Sequence, residues 1–136
     1  MVQTPSATPD DVEADQTVVF IMTSGPSSPA RCATPFYLGS VLAAMDARVH
    51  IFFTMEGVRL MQTGVAESLC AMPGGRRIIE FIRDAKRAGV VLHVCEPAMP
   101  GYDMDPDADL IPEVDHVARA SDLADLVLDC DKLITF

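Results

Sequence analysis

The sequence predicts an α/β domain whose five-stranded parallel sheet carries helices on both faces. Short apolar, β-branched runs recur along the chain, amphipathic helical patterns alternate with them, and turn residues separate the two. Strands that alternate with helices are typical of parallel sheets covered on both faces. The natural architecture is a doubly wound, flavodoxin-like sheet. The 136 residues suit one domain.

The predicted strands are the apolar runs bounded by turn residues. They are 17–22 (TVVFIM), 48–53 (RVHIFF), 90–94 (VVLHV), 113–117 (EVDHV) and 132–136 (KLITF). In the flavodoxin-like strand order, the first and third strands are neighbours. We therefore expect those two strands to lie side by side.

Three helices are predicted between the strands. The first begins at Thr34, as cap, with Pro35 in its first turn. The second ends before Gly89, where helix termini favour a positive φ, and the third begins with Ser121 as its cap. Their predicted buried faces are Leu38, Val41, Leu42 and Met45 in the first, Ile78, Phe81, Ile82 and Ala85 in the second, and Leu123, Leu126, Val127 and Cys130 in the third.

Composition and charge limit the classes of function. Residues 1–15 are polar, with two prolines, and we expect a flexible tail ahead of a single domain at 16–136. The net charge of −10 argues against nucleic acid and anionic lipid as partners. The apolar runs are too short to span a membrane, and no secretory signal pattern opens the chain. We expect a cytoplasmic protein whose four cysteines are thiols.

Two cysteines stand where ligands of open α/β sheets bind, at the carboxyl ends of the strands. Cys95 directly follows the third strand, and Cys32 lies in the loop after the first. With the first and third strands adjacent, these two thiols could form a pair, although an inert buried thiol is the alternative for Cys32. Cys70 lies after the second strand and is more often inert in such a position. Cys130, on an apolar helix face, is predicted to fill the core.

Neither a metal nor a cofactor is predicted. The chain has no CxxC motif, and His50 and His116 have no ligand-like spacing to the other candidates. His93 shares a strand face with Cys95, but a buried strand histidine is the commoner outcome. The loop at 23–32 (TSGPSSPARC) is not a phosphate-binding motif, because its two prolines remove N–H donors.

Several segments together resemble the DsrE/DsrF-like family. These are VVFIMTSGPSSPARCATPFYLGSVLAAM, VHIFFTMEGVRLM, RRIIEFIRDAKRAGVVLHVCEPAM and LIPEVDHVARASDLADLVLDCDKLITF, in an order and spacing that cover about 17–136. The chain looks closest to DsrE3-like members associated with sulfur oxidation. It departs from the family after Cys95, where the acidic, proline-rich EPAMPGYDMDPDADLIP follows.

The resemblance implies a sulfur relay. Cys95 stands at the position of the family's sulfur-accepting cysteine, so it is expected to carry sulfur as a persulfide, with no cofactor. The expected partners are TusA-like sulfur carriers and rhodanese-like donor proteins, and the expected assembly is a homotrimer or hexamer. Other members of this superfamily lack the active cysteine and serve as assembly subunits, which is the alternative function here.

Overall fold

The computed structural model describes residues 15–136, which form five parallel strands and three α-helices. The strands are β1 (Thr17–Met22), β2 (Arg48–Phe53), β3 (Val91–Cys95), β4 (His116–Ala118) and β5 (Lys132–Thr135). The helices are α1 (Thr34–Ala44), α2 (Ile78–Arg87) and α3 (Ala120–Asp129). The predicted tail at 1–15 lies outside the described residues except for Asp15. The α/β fold and the parallel sheet are confirmed.

The sheet has the strand order β4-β3-β2-β1-β5. The expectation that the first and third strands are neighbours is therefore wrong, because β2 lies between them. Strands β1, β2 and β3 each pair with the next strand along the chain, and only the connection through α3, from β4 to β5, returns to the far edge. Apolar runs are buried in either order, so the hydrophobic pattern carried no information on this choice.

Strand β4 is shorter than predicted and begins three residues later. Asp115 explains the late start: its N–H donates to the carbonyl of Leu92, while its carboxylate accepts the N–H of Leu92 at 2.8 Å. Regular pairing with β3 can therefore begin only at His116. The result is an edge strand of three residues.

Helices α1 and α2 pack together on one face of the sheet and enclose the main core. The predicted buried face of α1 is correct only in part: Leu38 and Leu42 pack half-buried against the core, whereas Val41 is 39% and Met45 71% exposed. Its buried residues are Pro35, Phe36 and Gly39. A Cβ on Gly39 would make ordinary contact with Val49 Cγ1 at 3.4 Å, so the helix lies directly against β2 at this point. The predicted face of α2 is confirmed: Ile78, Ile82 and Ala85 are fully buried, and Phe81 is half-buried.

Helix α3 lies on the opposite face, as a right-handed crossover from β4 to β5 requires. The predicted apolar stripe does not fill the core: Leu123 and Leu126 are only half-buried, Val127 is 37% exposed, and no residue of α3 is fully buried. Cys130 is only half-buried. The predicted cap at Ser121 is also wrong: Arg119 precedes the helix, and its N–H donates to Asp122 Oδ2 at 2.8 Å.

No helix within residues 15–136 has the length and apolarity that crossing a membrane requires.

Replacing Gly57 with alanine should destabilise the fold by roughly 1–3 kcal/mol, because the new Cβ would lie 2.2 Å from the carbonyl oxygen of Met22 and the backbone must shift. Gly101→Ala is the matched control, since nothing lies within 4 Å of its Cβ position. Urea unfolding of both variants measures the difference. Equal midpoints for the two would contradict the close approach.

Candidate functional site

The loops that follow β1 and β2 contact each other at the carboxyl edge of the sheet. We call this contact, formed by Gly25, Ser27 and Glu56, the lock. Glu56 accepts hydrogen bonds from both the N–H and the hydroxyl of Ser27. A Cβ on Gly25 would lie only 2.4 Å from the carbonyl oxygen of Glu56, so the two loops touch through backbone. The hydrogen bonds from Ser27, its hydroxyl first, lower the pKa of Glu56. A carboxylate is therefore fixed at this edge.

Cys32 lies beneath this lock and is fully buried. The carbonyl oxygens of Gly25, at 3.3 Å, and Ser28, at 3.4 Å, are both within reach of its single S–H donor. Burial, and then the charge of Glu56, raise the pKa of this thiol to about 11. Because the thiolate is the reactive form, Cys32 as placed here has the properties of a structural thiol.

Cys95 ends β3 at the same edge and is half-buried. Its neighbours on the two sides are β2 and β4, and it pairs directly with Ala118 of β4. No hydrogen bond to its Sγ is found among residues 15–136. Cys95 thus combines the edge position with partial access and an uncommitted sulfur, which Cys32 does not.

Two opposite charges flank Cys95. Glu96 follows it directly, and Arg119 follows its pairing partner Ala118. The Arg119 Nη2 and Glu96 Oε1 atoms lie 3.5 Å apart, with the two side chains 76% and 41% exposed. The ion pair joins the end of β3 to the start of α3. At this exposure it contributes little to stability, so a partner could exchange it for its own contacts.

The two remaining cysteines lie on other segments of the chain. Cys70 is half-buried in the long connection after β2, where it forms an isolated antiparallel bridge with Arg77. Cys130 follows α3 at the opposite edge of the sheet, and its Sγ contacts the carbonyl of Val127 at 3.4 Å. All four cysteines are free thiols. With β2 between their strands, the strand order gives no support for a Cys32–Cys95 pair.

Three histidines form a feature that the sequence analysis missed, and we call His50, His93 and His116 the histidine ladder. They stand on three adjacent strands and on the same face of the sheet as α3. The His50 Nδ1 and His93 Nε2 atoms are 2.9 Å apart, and the His93 and His116 rings stack with centroids 5.0 Å apart. The available signal was that each histidine lies inside a predicted strand.

His93 is the buried centre of the ladder, with 8% of its surface exposed. Burial, and then the proximity of His50 and His116, lower its pKa to about 4. The pKa of His50 is lowered as well, mainly by burial. The expectation of a buried strand histidine at position 93 is thus met. Its Nε2 is engaged with His50 and does not serve Cys95.

Within residues 15–136, no group of three or more histidine, cysteine or acidic side chains is arranged to hold a metal ion. The rings of His50 and His93 are tilted and hydrogen-bonded to each other, and those of His93 and His116 are stacked.

Native-state alkylation should separate the thiols. Cys32 should react with iodoacetamide at least about 100-fold more slowly than Cys95, because its sulfur is buried and its pKa is about 11. Peptide mapping after timed alkylation measures both rates, and the same experiment in urea should abolish the difference. Comparable native rates would contradict the placement of Cys32.

The free energy of unfolding should fall as the pH drops from about 6.5 toward about 4, because the unfolded chain takes up a proton at His93 that the folded chain refuses. The slope from this residue approaches ~1.4 kcal/mol per pH unit. His93→Gln and His93→Phe both remove the titrating ring, so both should flatten the slope whatever their absolute stability. Urea titrations at several pH values test this, and an unchanged slope in both variants would contradict it.

Comparison with known proteins agrees with this architecture. The crystal structure of the YchN protein from E. coli is similar over 89% of this chain and 99% of its own, with a TM-score of 0.73 and 20% sequence identity. MTH1491 from Methanobacterium thermoautotrophicum, a protein of unknown function, is similar over 90% of this chain and 100% of its own, with a TM-score of 0.57 and 19% identity. At these identities the likeness concerns the fold alone.

No curated protein matches the chain in sequence. The family model described as the DsrE/DsrF-like family, however, matches residues 16–136, which include all five strands and every cysteine. The match confirms the resemblance seen in the segments around Cys32 and Cys95. This chain belongs to the DsrE/DsrF-like family.

Proposed function

We propose that this protein is a cytoplasmic sulfur carrier that passes sulfane sulfur as a persulfide on Cys95. The observation that carries the proposal is the position of Cys95, a half-buried, uncommitted thiol at the carboxyl end of a central strand. Membership of the DsrE/DsrF-like family supports a role in a sulfur relay. Service in sulfur oxidation, as in DsrE3-like members, is part of the same proposal.

The surroundings of Cys95 favour exchange with another protein. Cys95 ends β3 at the carboxyl edge, beside the segment that begins at Glu96 and close to the start of α3. The flanking Glu96–Arg119 ion pair offers one charge of each sign to a docking surface. The net charge of −10 suits basic partner surfaces. TusA-like carriers and rhodanese-like donors are the proposed partners, and a homotrimer or hexamer the proposed assembly.

The transfer needs no cofactor. The Cys95 thiolate attacks the outer sulfur of a donor persulfide, R–S–SH, forming the new S–S bond as the donor S–S bond breaks. The donor leaves as the thiolate R–S⁻, and Cys95 carries S–SH. An acceptor thiolate attacks that outer sulfur in turn and regenerates the Cys95 thiolate. Each step conserves electrons, so no external oxidant or reductant is required.

A second function, a non-catalytic assembly subunit, is favoured by the exposed apolar surface of α3. Leu128 is 83% exposed, and Leu133 of the neighbouring β5 is 46% exposed. Apolar side chains that are exposed to solvent in this way often mark contacts with other chains. In such a subunit Cys95 would carry no sulfur.

Incubation with polysulfide should add one sulfur mass to the parent protein, removable by reduction, because Cys95 accepts sulfane sulfur. The gain should be lost in Cys95→Ser and kept in Cys70→Ser, the matched control, which removes another half-buried thiol. Intact-protein mass spectrometry measures the gain.

Loading of Cys95→Ser at the parent rate would show the assignment of Cys95 to be wrong. A gain lost in Cys32→Ser instead would keep the carrier function and move the site to Cys32. No loading of any variant, under conditions that load an established carrier, would favour the assembly subunit.

A further inference from the structure

The histidine ladder is placed to control the strand that covers one side of Cys95. His93 and Cys95 both belong to β3, and their pairing partners in β4 are His116 and Ala118. Strand β4, which carries His116 at the outer end of the ladder, is therefore also the strand beside the Cys95 thiol. Because β4 has only three residues and is an edge strand, few hydrogen bonds oppose its release.

We propose that the His50–His93–His116 ladder is a proton-sensitive joint that keeps β4 paired with β3 at neutral pH and releases it in acid, thereby uncovering Cys95. The release itself follows from the ladder geometry. Its meaning as regulation rests on the proposed function of Cys95.

One hydrogen bond and one stacking contact join the three neutral rings. In the neutral form, one ring nitrogen of the His50–His93 pair donates to the other at 2.9 Å, and His116 stacks on His93 at 5.0 Å. A proton on His93 occupies both ring nitrogens with hydrogens, so His50 can then only accept. A second proton on His50 or His116 places like charges on adjacent rings. Like charges directly opposite one another on paired strands are destabilising.

Carboxylates around the ladder act in the opposite direction. Asp115 and Asp122 favour the charged form of His93, whereas the cation Arg48 acts in the same direction as the neighbouring rings and disfavours the charged form of His50. Asp125 and Asp129 of α3 share with His93 and His116 a cavity of about 390 Å³. Asp115 is itself held by Lys86 and by the N–H of Leu92. Since His93 remains hard to protonate despite these acids, burial and the neighbouring rings outweigh their attraction.

Two anchors decide which end of β4 moves. The start of the strand is fixed through Asp115, which bonds Leu92 through both its backbone and its side chain. The far end is held to β3 beyond the ladder by the exposed Glu96–Arg119 ion pair. Release should therefore begin at Ala118 and Arg119, the end that lies beside Cys95.

The test measures access to Cys95 directly and needs no sulfur donor. Cys70→Ser/Cys130→Ser protein is treated with 4,4′-dithiodipyridine between pH 7 and pH 5, and each rate is divided by that of a free cysteine peptide at the same pH. If release returns the pKa of His93 from about 4 to its ordinary 6.5, the normalised rate should rise up to about 20-fold between pH 7 and pH 5.

His93→Gln should abolish the rise in rate. His116→Gln should weaken the rise, and because His116 is exposed, this second variant gives a test that does not depend on the folding of the buried His93 variant. Arg119→Gln is the matched control: it removes the weak, exposed ion pair but leaves the ladder, so it should raise the rate by less than about 5-fold, equally at every pH, and keep the same pH dependence. The proposed joint would be disproved if the normalised rate of the parent did not change with pH, or if it rose in both histidine variants as much as in the parent.

Failure of the joint and failure of the carrier are distinguishable. A normal pH-dependent rate in a protein that loads no sulfur at pH 7 would keep the joint and reject the carrier. Sulfur loading at pH 7 together with a flat pH profile would keep the carrier and reject the joint.

Discussion

The pairing of β3 with β4 is the interaction on which the arrangement around Cys95 depends. It places Ala118 opposite Cys95, His116 opposite His93, and Arg119 within reach of Glu96. Parallel strands bring their carboxyl ends to one edge, so a thiol that ends β3 necessarily lies next to the start of the helix that follows β4. The contacts that maintain this pairing are few, since β4 has three residues and one neighbour.

The difference between Cys95 and Cys32 has a simple physical basis. Both thiols lie toward the carboxyl edge, but the loop that carries Cys32 is folded under the lock formed by Glu56 and Ser27. The lock is tight because glycines allow backbone contact at two places, and it leaves the Cys32 thiol buried with carbonyl partners. Cys95 ends a strand without such a cover. Position along the sheet therefore does not determine how deeply a thiol is buried, and the loop geometry does.

The two faces of the sheet differ in how completely they are covered. Two helices close one face over a continuous core, whereas α3 alone crosses the other and buries none of its own residues. This open face also holds the histidine ladder and the cavity beside α3. A polar, titratable cluster is tolerated there because water and acidic side chains can reach its rim, while the buried ring of His93 bonds to His50.

The sequence by itself determined the strands, the helices, the parallel sheet and the edge at which Cys95 stands. β-branched runs and helical periodicity depend on neighbours along the chain, and such local patterns are legible without a structure. Strand order, the burial of Cys32, the exposure of α3 and the histidine ladder were decided only by the tertiary structure. Each depends on which distant segments meet: β2 between β1 and β3, Glu56 over the first loop, and three histidines 43 and 23 residues apart on adjacent strands. The apolar stripe of α3 has the same pattern whether the core or the solvent lies beside it, so the pattern could not decide between them.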